Sequence, residues 1–279
     1  MFEMVASGVG LRQTARIVRL DVHSLRKKVR KIARTCGALH ANSCSSLPSG
    51  RTYLLAELET CESTPIRALT VATCIERETW FVVDVAAAPI RRLAKRGSRR
   101  RRRQEREEAR VGKRRDAGRE CVRGILERLA ALSPTGVLEL RTTGRSSYRT
   151  ITRSVFGCRA VHEPSTAKTT HGPHDALFPI RNTIQTMRCV HSRLRRNSWL
   201  ASKSLAWLRL HLRIFVVYRN YVRRRFHHDA PTDCPARLLG LIPRALRTDE
   251  VLSWRQDWGR RSPHPSSFSG RPLVSHFGV

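Results

Sequence analysis

The sequence predicts an α/β fold in which a mixed sheet with covering helices follows a small helical head. Three observations carry this. Apolar residues recur at helical spacing within residues 1–35, three β-rich segments follow one another between residues 52 and 87, and a further strand pattern appears near residue 137 after a helical stretch.

In the head, residues 11–18 read as a short helix with small Ala15 at its centre, and Arg19-Leu20-Asp21 as a turn. Asp21 suits the N-cap of a second helix over 22–33. There Leu25, Val29 and Ile32 share one face, while Arg26, Lys27, Arg30 and Lys31 share the other. A small residue at a helix crossing, a tight turn and a basic amphipathic helix make the layout of a helix-turn-helix. A solvated basic helix face gives the same pattern.

Residues 36–51, rich in Ser, Asn, Pro and Gly, read as a linker. Strands are expected over 52–59, 67–75 and 79–87, and their short connections favour an antiparallel meander. Residues 91–119 hold 15 Lys+Arg against four acids, with five consecutive arginines from Arg99 through Arg100, Arg101, Arg102 and Arg103. Such a stretch is a solvated helix or a disordered loop suited to phosphate.

A helix over 120–132 precedes the segment GVLELRTTGRSSY at 136–148, in which an apolar run ends at a Thr-Thr-Gly turn and a short polar loop closed by Tyr148. A buried strand of this kind delivers its carboxyl end to a cleft, where open α/β sheets keep their chemistry. A short strand at 158–161, a polar loop at 162–179, and helices at 180–196, 205–223 and 235–239 complete the order. His171 and His174 flank Pro173 in that loop with no third ligand close in sequence, an arrangement that does not favour a metal site. Residues 226–279 read as a Pro-, Arg- and Ser-rich tail with an aromatic patch at Trp254 and Trp258, disordered from 260 on.

Charge narrows the partners. The chain of 279 residues carries 54 Lys+Arg against 22 Asp+Glu, a net charge of +32, so a polyanion is the expected partner and nucleic acid the usual one. With eight aspartates in all, paired-carboxylate mechanisms have few candidates. The eight cysteines form no CxxC and no tight cluster, which points to reduced thiols in a cytoplasmic protein. Residues 1–10 lack a signal-peptide pattern, and the apolar stretch 205–221 is interrupted by Arg209, His211, Arg213 and Arg219, so no membrane span is expected.

Three strands, a helix, a fourth strand, a short fifth and C-terminal helices, preceded by a helix-turn-helix, is the order of an RNase H-like core on a DNA-binding head. The residues resemble the transposases of bacterial insertion sequences, in particular insertion-sequence-one-type enzymes with an aspartate-aspartate-glutamate (or aspartate) site. The likeness rests on SGVGLRQTARIV at 7–18, Ala56-Glu57-Leu58-Glu59, and Thr142-Thr143-Gly144 with Tyr148. It continues through Leu177-Phe178-Pro179-Ile180, Met187-Arg188, the run 193–199 and Tyr218-Arg219-Asn220-Tyr221.

The resemblance implies a head at 1–35, a linker at 36–51, and an RNase H-like core at 52–225 with its basic insert. It also implies DNA contacts from Arg12, Arg16, Arg26, Lys27, Arg30, Lys31 and Arg99–Arg103, homo-oligomers on DNA ends, and a place on the bacterial nucleoid. Intact members hold Mg²⁺ on three carboxylates. The matching positions here are Ala56, Thr143 and Arg181, with Glu57 and Asp175, and more distantly Glu59 and Glu139, as stand-ins. The expectation is therefore a transposase-like DNA binder with no bound metal and no catalysis. A non-enzymatic nucleic-acid-binding protein and an unselected, decayed reading frame are the alternatives.

Overall fold

The computed structural model describes residues 1–165, 175–194 and 201–254. His171, His174, the stretch 195–199, Trp258 and the tail from 260 lie outside the described residues.

The chain divides into two units, Ser49–Leu212 and Met1–Pro48 with the residues from Arg213 on. The first holds a five-stranded sheet: β1 (Thr52–Glu62), β2 (Thr64–Glu76), β3 (Val82–Pro89), β4 (Leu138–Thr143) and β5 (Ala160–Ser165), in the spatial order β3-β2-β1-β4-β5. β1 pairs antiparallel with β2, and β2 with β3. β1 and β4 pair parallel, as do β4 and β5. The protein is thus α/β with a mixed sheet, an architecture compatible with an RNase H-like core.

Alternation of side chains along β1 defines the two faces of the sheet. Leu54, Ala56, Leu58 and Thr60 lie on one, toward α7 (Phe178–Val190) and the 3-10 turn Ser192–Leu194. There the Thr60 hydroxyl donates to the Arg193 carbonyl at 3.2 Å, and Thr73, opposite Ala56, approaches the Met187 sulfur at 3.8 Å. Leu55, Glu57 and Glu59 lie on the other face, which α5 (Gly118–Leu132) and α6 (Ser146–Phe156) cover. Leu54, Leu55, Leu58 and Leu69 are fully buried, each worth about 1.5–3 kcal/mol relative to exposure.

Two expectations are corrected here. The polar loop after β4 is helix α6, whose Ser, Thr and Arg content hides an apolar stripe of Tyr148, Ile151 and Phe156, all buried. The basic insert, for which a solvated helix or a disordered loop was expected, forms the helix α4 (Arg99–Val111), capped by the Ser98 hydroxyl accepting from the Arg101 N–H at 3.1 Å. The helix expected over 180–196 ends at Val190.

In the second unit α1 (Phe2–Ala6) and α2 (Leu11–Ile17) precede α3 (Val22–Cys44). Asp21 caps α3 as expected, its carboxylate accepting from the His23 and Ser24 N–H groups at 2.7 and 2.9 Å. The linker expected from residue 36 does not begin there. The buried stripe of Leu25, Val29 and Ile32 continues through Cys36, Leu39 and Ser43, and the Ser43 hydroxyl donates back to the Leu39 carbonyl at 3.0 Å.

The boundary expected at residue 225 also moves. The division falls within α8 (Leu205–Val217), and the π-helical turn Tyr218–Val222 joins the N-terminal helices. The Tyr218 ring meets Phe2 edge-on, and the Tyr221 hydroxyl lies 2.9 Å from His40 Nδ1. Beyond it, α9 (Pro235–Leu238) forms where a short helix was expected over 235–239, and α10 (Thr248–Ser253) forms in what read as tail, with Ala236, Leu246, Val251 and Trp254 buried. Proline and arginine between these apolar positions obscure their periodicity. Among the described residues, no helix is long and apolar enough to cross a membrane.

One pair in the sheet-bearing unit makes its stability depend on pH. His191 and His211 are buried with ring centroids 6.3 Å apart. Burial first, and the nearby Arg193 second, push His191 down to about 4 and His211 to about 3. Both are neutral when folded and take protons near 6.5 when unfolded, so the stability they hold above that pH is lost as pH falls. At pH 5 each accounts for a loss on the order of 2 kcal/mol. We predict a lower urea midpoint at pH 5 than at pH 7.5, with the difference roughly halved in His211→Phe. An unchanged midpoint between the two pH values would contradict it.

Candidate functional site

The last hydrogen-bonded pair between β1 and β4 is Leu55 with Thr142. One residue further along, strand alternation keeps Ala56 on the face that carries α7, while the Thr143 side chain, past the last paired residues, lies within hydrogen-bonding reach of the Tyr148 hydroxyl. Ala56 is buried, 4% exposed, and Thr143 is half-buried at the last position of β4. The Thr143 carbonyl accepts from the Arg145 N–H at 2.7 Å and the Thr142 hydroxyl at 3.1 Å, fixing the turn into α6.

Arg181 sits in the first turn of α7 and pairs with Asp175, whose carboxylate also accepts from the Leu177 N–H at 3.0 Å. Asp175 is 5% exposed, so this carboxylate is already committed to an ion pair and to the start of α7. A methyl group, a neutral hydroxyl and a guanidinium do not make a donor set for Mg²⁺, which needs oxygen ligands with carboxylates among them. Among the described residues no group of three or more His, Cys, Asp or Glu is placed to share a metal ion.

Glu57 and Glu59 lie on the opposite face, as strand alternation requires. Glu57 is 7% exposed and accepts from the Tyr148 hydroxyl at 2.7 Å, the Thr70 hydroxyl at 2.8 Å and Arg145 at 3.0 Å. Burial first, and the adjacent Glu57 charge second, raise the Tyr148 phenol far above its usual range, so it stays protonated and donating. Glu59 pairs with Arg92 at 2.6 Å. Glu139 accepts from the Thr52 hydroxyl at 3.0 Å, and Arg141 joins it to Glu163. Each stand-in carboxylate therefore has a structural partner.

Sequence reasoning named Glu57 and Tyr148 but not their contact, and it missed Thr70, Arg92 and Arg145. The signal available was the alternation that puts Glu57 and Glu59 on one face beside Thr70 and Ala72 of β2.

The basic residues fall into two sets. Arg12 and Arg16 are exposed on α2, whose Thr14 and Ala15 are buried, and Arg26, Lys27, Arg30 and Lys31 are exposed on α3 opposite its buried stripe. Arg19, with φ of 50°, lies in the turn between these helices. Arg99, Arg100, Arg102 and Arg103 are exposed on α4, whereas Arg101 is half-buried beside Glu105 at 2.7 Å. The two sets belong to different units.

A scan against protein-family models finds none that matches the chain, and a search of curated proteins returns no match.

The Glu57 contacts give a test of its role. Glu57→Ala leaves a buried phenol and a threonine hydroxyl without their acceptor, at a cost of about 2–3 kcal/mol. Removing exposed Glu127 changes stability by less than about 0.5 kcal/mol. Denaturant unfolding of both variants checks this, and equal small effects would exclude the structural role for Glu57.

Proposed function

We propose that the chain is a DNA-binding protein of the insertion-sequence transposase kind, with an RNase H-like core, a helix-turn-helix formed by α2 and α3, and no strand-transfer chemistry. The observation that carries this reading is the pairing of β1 with β4. Ala56 and Thr143 each lie one residue beyond the last pair of those strands, Leu55 with Thr142, and are the two positions where the sequence resemblance expects metal-binding aspartates. The third expected carboxylate position is occupied by Arg181, whose positive charge repels a divalent cation. The nearby acids are engaged elsewhere, so none of them supplies a replacement without breaking an ion pair.

DNA is the partner that fits a net charge of +32. Arg12 and Arg16 on α2, and Arg26, Lys27, Arg30 and Lys31 on α3, form the basic surface of the head in this reading. A cytoplasmic, nucleoid-associated protein that assembles as a homo-oligomer on DNA ends follows from the same reading.

Two outcomes are expected. Purified protein binds duplex DNA but neither cleaves nor joins donor-end DNA with Mg²⁺ present, and turnover above the no-metal background contradicts the reading. The combined Ala56→Asp, Thr143→Asp and Arg181→Glu variant gains Mg²⁺ or Mn²⁺ binding measurable by calorimetry. A folded triple variant that binds neither ion removes the assignment of these three positions.

A further inference from the structure

The structure assigns a phosphate-contacting surface to one face of α4, formed by Arg99, Arg103, Arg106 and Arg110. The run Arg99–Arg103 is continuous in sequence but not in space. At 100° per residue, Arg99, Arg103, Arg106 and Arg110 fall within one narrow stripe, with successive rises of about 6, 4.5 and 6 Å. The stripe is about 17 Å long, and all four side chains are exposed.

Most of the other polar side chains of α4 are tied to the chain, Arg102 being exposed beside the stripe. Arg100 donates to the Pro65 carbonyl, and Arg101 pairs with Glu105. Buried Gln104 accepts from the Ala94 N–H and donates to the Arg92 carbonyl, each at 3.1 Å. Glu107 pairs with Arg67 at 2.6 Å, and Glu108 takes Arg91 in a two-pronged bond at 2.9 and 2.8 Å.

All three acids of the helix are thus drawn toward its docked side or to Arg101. None is left to neutralise the stripe, whose four guanidiniums have no ion pair among the described residues. Like charges at i, i+4 oppose helix formation. Docking pays that cost and holds the charges on one line, and a linear polyanion is the ligand that neutralises such a line.

This assignment rests on the DNA-binding reading above and names the duplex phosphate backbone as the ligand. It adds Arg106 and Arg110, which lie outside the arginine run, and removes Arg100 and Arg101 from the contact set.

The test measures binding of the full chain to a random-sequence duplex by fluorescence anisotropy across a salt series. Replacing the four stripe arginines by glutamine keeps helix propensity. Each phosphate contact contributes about 0.9 to the slope of log K against log salt, so the slope falls by about 3–4 if all four engage. A charge-matched control, with Arg119, Arg123, Arg149 and Arg153 replaced by glutamine, keeps its slope. The single Arg106→Gln variant, which perturbs folding least, loses about one unit of slope.

A stripe variant with the wild-type slope, or a control that loses as much, overturns the stripe while leaving DNA binding intact. Wild-type protein that fails to bind duplex DNA overturns the underlying reading, and the two failures are told apart by the wild-type titration.

Discussion

The register of β1 is the constraint on which the sheet-bearing unit depends. This strand pairs on both sides, antiparallel with β2 and parallel with β4. Its alternation sorts side chains between two covered faces. A slip by one residue would send Glu57 toward α7, away from Tyr148, Thr70 and Arg145, and would move Leu54 and Leu58 out of their packing. An isolated buried carboxylate costs far more than one held by a phenol, a hydroxyl and a guanidinium. Glu57 therefore works against wrong registers as well as for the right one.

The strands were legible because their signal is local: β-branched and apolar runs bounded by turns mark β1, β2 and β3 to within a few residues. What was not legible depended on partners far away in sequence. The continuation of α3 past residue 35 needs the burial of Cys36 and Leu39, and polar Asn42 and Ser43 argue locally for a linker. Helix α6 has few strong helix formers and is held by Tyr148 reaching Glu57, 91 residues away. At the candidate site, positions 56, 143 and 181 could be named from motif spacing. The occupation of Glu57, Glu59 and Asp175 by arginines could not, since it depends on which of many arginines folds back onto each acid.

Scarcity of acid shapes the whole chain. Glu59, Glu62, Glu107, Glu108, Asp175, Asp229 and Glu250 each take an arginine partner and are themselves largely buried. Partly buried pairs with several hydrogen bonds orient their elements more firmly than exposed ones, whose net worth is small. Acids placed there act as anchors rather than as general charge neutralisers. The exposed acids, among them Glu78, Glu105, Glu120 and Asp249, pair with arginines at the surface instead.

The same division bears on what the candidate site can hold. A two-metal nuclease site needs several carboxylates converging at a sheet edge with hydrogen-bonding capacity to spare for the ions. Here the carboxylates nearest to that place are saturated by cations of the chain itself. Carboxylates held as counterions in this way have little hydrogen-bonding capacity to spare for an ion, while α4 keeps exposed arginines suited to phosphate.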